Sequence, residues 1–435
     1  MKPGSRIPLP WRALSPTHAV AGVRGRLCAF VVACGLVGHT RPGFAANFPL
    51  PLFAGDLSGE LSVLGESGPQ LQWRIDATTT TPAGRRQARL SLEGPALRAV
   101  ATAELDAATG EGAWRIEEGR IDVGPWLQAL GGRLPAEARG IEAEGVLVLR
   151  GSGEIHRYQP AGLVSFEWRE GVIRDPGRGV TLEGVTASGE ADLARLTDGG
   201  APLELTVRTI STRRFGARNL AVRAVLRGTR ELAVSAASIE IAGGTMEADP
   251  FVMPLAPFSV NAKVRVERIG LQDVVALVPS GLAEAHGRVD GEVWLGWSAA
   301  AGVQVGQGKL ALHAGEPATL RLAPTPGFLT ERVPRRIELP AWLGPLARWF
   351  SPDNPAYDDM EEVELGRTEL RVEAFDAHIT PEGDGQGRSA HVTVRARPLR
   401  PGGEIDAVTF DVNVAGPLAD VLKIGLTQPF SVQVR

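Results

Sequence analysis

Cysteine is nearly absent from this chain: Cys28 and Cys34 are its two, both close to the N-terminus. If residues 1–45 are removed as a leader, the remainder has no thiol. That excludes disulfide scaffolds, thiolate metal sites and cysteine nucleophiles together. Lysine is almost as scarce, with Lys2, Lys263, Lys309 and Lys423 against 42 arginines. No apolar run reaches the ~20 residues that a comfortable membrane-spanning helix needs. There is no GxSxG elbow, no P-loop and no GxGxxG after a strand. The seven histidines, at 18, 39, 156, 286, 313, 378 and 391, form no HxH or HxxxH pair. A lone histidine in an alternating strand reads as a surface or satisfied residue. No cofactor and no metal site is expected, and the chain reads as a non-enzyme.

The first residues carry an export pattern. Lys2, Arg6, Arg12, Arg24 and Arg26 form a basic region, no acid precedes Asp56, and Leu27–Gly38 is apolar. Gly43 and Ala45 supply the small residues read by a signal peptidase, which places cleavage after Ala45. Two other readings stand beside it: lipidation at Cys34 in the run Val31-Val32-Ala33-Cys34, and retention as an anchor with Arg24 and Arg26 on the cytoplasmic side. Removal of the segment leaves 40 basic against 50 acidic residues. A chain of that sign has no electrostatic footprint for nucleic acid.

What the sequence has in quantity is strand and turn. Fifty-three glycines and 32 prolines punctuate short runs rich in Val, Leu, Thr and Arg. In Phe258–Glu267 every even position is apolar and most odd positions are polar, the signature of a strand with one buried and one wetted face. Glu204–Arg208, Ala221–Arg227, His391–Arg395 and Thr409–Val414 read the same way. Gly171, Gly184, Gly243-Gly244 and Gly302 read as turns. Helices are few: 125–134, 271–278, 339–350 and 417–424. The third has a broad apolar face (Trp342, Leu343, Leu346, Trp349, Phe350) that would pack on the sheet, lie on a membrane or cap a groove. Asp353–Glu364 (DNPAYDDMEEVE) lacks the ligand order of an EF-hand and reads as a solvated loop, and Glu382–Gly387 as a hairpin loop.

One pattern occurs twice. Arg120–Leu149 and Arg268–Leu295 each hold an Arg-Ile pair, an apolar stretch at helical spacing, a proline and a glycine-punctuated strand. Repeated scaffold without a catalytic site is how elongated modular proteins are written. The expected fold is all-β: a long curved antiparallel sheet with a few short amphipathic helices, forming one trough-like body. An antiparallel sheet with one apolar face must cover that face or curl around it. With few helices to cover it, Val260, Ala262, Val264, Val266, Val293, Leu295, Phe410, Val412 and Val414 are expected to line an apolar groove.

From Leu255 onward the chain resembles YdbH-like proteins of the AsmA-like/TamB superfamily, whose C-terminal domain also carries a "dicarboxylate transport" label. The resemblance rests on Val266–Val275, Gly287–Leu295, Gly302–Leu310 and Thr409–Leu422, in register, with 151–253 fitting the strand-rich region before them. It divides the chain into residues 1–45, an N-terminal β-groove region 46–254 and a C-terminal domain 255–435. Family members are typically longer and start with a membrane helix. The resemblance implies a membrane-associated envelope protein, periplasmic in a Gram-negative-type bacterium, that conducts phospholipid between inner and outer membrane. It also implies a small outer-membrane lipoprotein partner at the C-terminal strand, with Phe430, Val432 and Val434 as the pairing edge. The competing readings are a passive β-rich scaffold or adhesin, and a glycosidase using paired carboxylates whose spacing no sequence reveals.

Overall fold

The computed structural model describes residues 56–434 except 63–68, 81–84, 107, 131–139, 158, 194–199, 213–215, 228–230, 256–258, 276–281, 299–301, 332, 338–351, 381–387, 401–404 and 416–431. The leader, the helices expected at 339–350 and 417–424, and the loop Glu382–Gly387 therefore lie outside the described residues. The described part is all-β, an open antiparallel sheet rather than a closed barrel, with three short helices. By internal contacts the chain divides into two compact units, residues 1–203 with 227–229, and 204–226 with 230–435.

In the first unit, β1 (Asp56–Ser62), β2 (Gln70–Thr80), β3 (Arg85–Glu93), β4 (Leu97–Asp106) and β5 (Gly112–Asp122) meander, each paired with the next. Then come α1 (Val123–Leu130), a short β6 (Glu142–Glu144), β7 (Val146–His156), β8 (Gln159–Asp175) and β9 (Val180–Asp192). Directly opposed residues in an antiparallel pair share a face. The registers align Ile75, Leu90, Ala101, Ile116, Gly151, Val164 and Ala191 into one uncharged row across seven strands.

The second unit repeats the device. β10 (Gly200–Ser211) and β11 (Gly216–Arg227), which begin and end with residues of the first unit, precede β12 (Glu231–Ile241), β13 (Gly244–Ala248), β14 (Phe251–Pro254) and β15 (Ser259–Gly270). After α2 (Leu271–Val275) come β16 (Leu282–His286), β17 (Arg288–Ser298), β18 (Gly302–Leu312) and β19 (Ala318–Leu322). α3 (Pro355–Glu364), β20 (Leu370–Ile379), β21 (Arg388–Pro398), β22 (Val408–Ala415) and β23 (Val432–Val434) complete it. One row runs Ile239–Met246–Val266–Gly291–Leu310–Ala377–Val392–Val412 and reaches Val432 by register. The neighbouring row is polar throughout: Ser238, Glu247, Arg265, Glu292, Lys309, His378, His391 and Asn413. A slip of one residue would exchange the two rows, so the register is fixed by what each face can tolerate.

The duplicated pattern folds as a duplicated motif. In each copy a strand runs into a short helix, a short strand follows, and a glycine turns the chain into a strand that pairs with the first: β5–α1–β6–β7 and β15–α2–β16–β17. Val123 and Leu271, the first helical residues, donate their N–H at 3.0 Å to the carbonyls of Gly145 and Gly287. Both glycines have φ near +120° (121° and 119°), where an L side chain is strained. Ala143 and Ala285, two residues earlier, are both buried.

Two expectations need correction. Gly171 and Gly184 do not mark turns; they lie inside β8 and β9 at a β-bulge, where Gly184 has φ 63°. A bulge and a turn both call for glycine, and sequence does not separate them. The acidic stretch is also no loop: residues 355–364 form α3, with Asn354 as N-cap accepting from the Ala356 N–H at 3.2 Å and Pro355 in the first turn.

Gly287→Ala tests the repeated hinge. A Cβ there would sit 2.5 Å from the Ala318 Cβ at a forbidden φ, so the variant should lose about 3 kcal/mol. Gly315→Ala, at φ 89° with open space around it, should lose about 1 kcal/mol. Equal shifts in denaturant midpoint for the two variants would contradict this account.

Candidate functional site

The expected groove residues fall on one face of the second unit. Val260 opposes Trp297, Ala262 opposes Leu295, Val264 opposes Val293, Val394 opposes Phe410, and Val392 opposes Val412. Val264, Val266, Val293 and Phe410 belong to a single buried cluster, and Leu295 packs against it. Ala262 is buried beside them, whereas Val260 and Val412 are half-buried. Val414 opposes Ala390 by register. Val432 and Val434 oppose Val412 and Phe410, and Phe430 lies outside the described residues.

Burial is graded along the strands of this face. At one end Val289 and Leu370 are fully buried, with Leu271, Leu320, Val363 and Ala396 packed around them. α2, β19 and α3 supply Leu271, Leu320 and Val363, so this end is closed by short elements. Toward the other end of β15, β17 and β18 Val260, Leu295, Trp297 and Val305 are half-buried; on the later strands Ile379, Val392 and Val412 are half-buried too, the last two in the same row as buried Val266. The same apolar face is thus a filled floor at one end and accessible hydrocarbon surface at the other.

The opposite face is ionic and wet. Lys263 pairs with Glu292 at 2.6 Å, and Arg265 lies 3.9 Å from Glu247. The lysine holds the Glu292 carboxyl below the ordinary glutamate range. Such exposed pairs contribute little stability, but they keep this face in water. Two of the histidines have local partners: His313 Nδ1 lies 2.7 Å from Asp290, and His391 Nδ1 lies 2.9 Å from Asn413 Oδ1. Among the described residues no three His, Cys, Asp or Glu side chains gather as a metal site, and no helix is long and apolar enough to cross a membrane.

Sequence reasoning missed Glu364. It is 2% exposed at the end of α3 and accepts from the N–H groups of Gly327 (3.1 Å), Leu329 (2.8 Å) and Thr330 (3.0 Å) and from the Thr330 hydroxyl (2.8 Å). Burial pushes its pKa up, but those four donors outweigh it and hold the carboxyl below the usual range. Its role is to tie the loop 325–331 to the helix at the closed end of the apolar face. The only signal in the sequence was a glutamate at the end of an acidic run.

Residues 175–333 match a family model described as YdbH-like, the intermembrane phospholipid transport protein YdbH. That segment, 159 of the chain's 435 residues, is similar to the YdbH-like family. It contains Val266–Val275, Gly287–Leu295 and Gly302–Leu310, while Thr409–Leu422 falls beyond it. The description is that of a transport protein rather than an enzyme class, and transport between membranes belongs to the cell envelope. No curated protein and no solved structure matches the chain.

Glu364→Gln should lower stability at pH 7 by about 2 kcal/mol, since a charge-assisted acceptor is lost from a buried site. Because the folded pKa is depressed, this contribution is complete above the ordinary glutamate value of ~4.3 and is lost as pH falls through the folded value. The stabilities of native and variant proteins should therefore converge in acid. A gap that persists unchanged below that pH would contradict the assignment.

Proposed function

We propose that this protein binds phospholipid acyl chains on the apolar face of its second unit and conducts them between the inner and outer membrane without catalysis. The observation that carries the reading is the uncharged row crossing nine strands from Ile239 to Val432, backed by the YdbH-like segment. At ~4.8 Å between strands, nine strands span roughly 38 Å. Burial is worth ~0.8 kcal/mol per CH₂, so a ~16-carbon chain needs on the order of 10 kcal/mol of compensation to leave a bilayer. A continuous apolar face supplies that along its length. Val260 and Leu295 on β15 and β17, and Val412 and Val414 on β22, serve as the lipid-facing residues; Ala262, Val264, Val266, Val293 and Phe410 form the packed floor.

Location in the periplasm, with residues 1–45 as leader, lipidation segment or anchor, belongs to the same proposal. So does a small outer-membrane lipoprotein at β23. Among the described residues β23 pairs with β22 alone, and a second strand can add to its other edge through backbone hydrogen bonds.

A second reading, a passive envelope scaffold, draws on the close burial of Val264, Val266 and Phe410, which is what an ordinary core shows. Native mass spectrometry of protein prepared without detergent separates the two. A conduit should carry phospholipid and a scaffold should come out empty. Leu295→Asp should reduce bound lipid at least ~10-fold with little change in the unfolding midpoint. Val264→Asp places a carboxylate in the packed floor and should destabilise by several kcal/mol. If Leu295→Asp retains full lipid, the lining assignment is wrong.

Deletion of Phe430–Arg435 should abolish capture of a strand-adding lipoprotein by the tagged protein while leaving bound phospholipid unchanged. Undiminished capture would remove β23 as the partner edge.

A further inference from the structure

The wet face of the second unit carries one large side chain that its ion pairs do not explain. Trp294, on β17, is 43% exposed, and it is the one aromatic among the large hydrophobic side chains that stand exposed in the described residues. Register places it on the polar side of the sheet, opposite Lys263 and between Glu292 and Gly296 of its own strand. Its neighbours are small or hydrophilic. A Cβ on Gly306 would meet the Trp294 Cβ at 2.6 Å, and Gln304 brings its Oε1 within 3.5 Å of the place a Cβ on Gly296 would take. Asn261, Gly296 and Gln304 lie directly opposed across β15, β17 and β18, with Asn261 and Gln304 exposed. The indole thus stands beside a shelf of two glycines and two side-chain amides, next to the Lys263–Glu292 pair.

We propose that this shelf binds a glycan of β-linked N-acetylhexosamines, one pyranose stacking its C–H face on the Trp294 indole while a neighbouring acetamido group exchanges hydrogen bonds with Gln304 and Asn261. Three occupants can be compared. An anionic membrane surface is drawn to an excess of Lys and Arg. Here Lys263 is already paired with Glu292, and without residues 1–45 the chain has 40 basic against 50 acidic residues. A protein partner buries a tryptophan in a desolvated, close-packed pocket, but the opposed and flanking positions, Lys263, Glu292 and Gly296, bring no second apolar side chain. A pyranose offers an apolar C–H face for the ring and, around it, neutral hydroxyl and acetamido groups suited to amides that both donate and accept. The glycines fit the same occupant: a flat sugar needs a flat floor, and a side chain at Gly296 or Gly306 would stand in it. Successive β-linked sugars advance by a length close to the ~4.8 Å strand spacing, so a chain laid across β15, β17 and β18 meets one strand per sugar. In the periplasmic placement proposed above, the source is the glycan strand of the cell wall, and the apolar face on the other side of the sheet is left to lipid.

The test uses the full-length protein with two probes: tetra-N-acetylchitotetraose, titrated by saturation-transfer NMR, and purified wall sacculi, followed by co-sedimentation. The native protein should bind both. Trp294→Ala should weaken each at least ~10-fold, and Trp294→Tyr, which restores a stacking face, should recover most of that loss. Gln304→Ala should lower tetrasaccharide binding about 3-fold and reduce the preference over cellotetraose, the same kind of chain without acetamido groups. Phospholipid bound by each variant should match the native amount, because Trp294 and Gln304 lie on the face away from the groove. Tetrasaccharide binding that is absent from the native protein, or undiminished in Trp294→Ala, overturns the glycan site. So does retention on anionic vesicles that falls with Trp294→Ala in place of glycan binding. A native protein that binds the tetrasaccharide but carries no phospholipid strikes the conduit reading and leaves the glycan site standing, so the two fail separately.

Discussion

Strand register is the constraint on which everything else in this molecule depends. An antiparallel strand has a side-chain period of two, so a sheet sorts its residues into rows that belong wholly to one face. In the second unit the row through Val266, Gly291, Leu310, Ala377, Val392 and Val412 holds no charge, while the row beside it through Arg265, Glu292, Lys309, His378 and His391 is polar throughout. The ionic row is worth little in direct stabilisation, since its side chains are solvated. Its importance lies in forbidding the shifted pairing, which would bury a line of charges. The apolar surface exists as a continuous strip because the polar one cannot move.

Against that regularity the repeated helix motif acts as a stop. α1 and α2 enter where β5 and β15 end, and each is held by one N–H bond to a glycine carbonyl across the motif. The helix covers the end of the apolar rows with Trp126 and Leu130 in one copy and Leu271 in the other. In the second unit α3 and the loop tied by Glu364 add to this closure. The gradient of burial from Val289 to Trp297 along β17 is the direct result: the strand begins under cover and ends without it.

Much of this was legible in the sequence, for a physical reason. A strand with one wet face writes its orientation into alternate residues, so Phe258–Glu267 and Thr409–Val414 gave both the element and its inward side. The duplicated Arg-Ile segment gave the motif. What failed was what depends on partners. Gly171 and Gly184 look like turn residues until their strands are laid side by side and the bulge appears. Residues 355–364 look like a solvated loop because their acidity hides an Asn-Pro helix start. Glu364 is indistinguishable from its exposed neighbours until the backbone N–H groups of 327–330 are brought to it.

The nine groove residues show how far a face assignment reaches. Alternation says which side a valine is on, and for the residues on described strands the registers put them together on one face. It does not say how deep the valine lies, because depth is set by the elements that close one end. Val264 and Val260 are four residues apart on the same face of β15, yet one is core and the other is half-open. A hydrocarbon ligand gains from the second and would have to displace packed side chains to reach the first, where close packing leaves few voids. On the function proposed above, an acyl chain would meet Val260 before Val264, and the buried residues of β15 would shape that surface from below rather than touch the lipid.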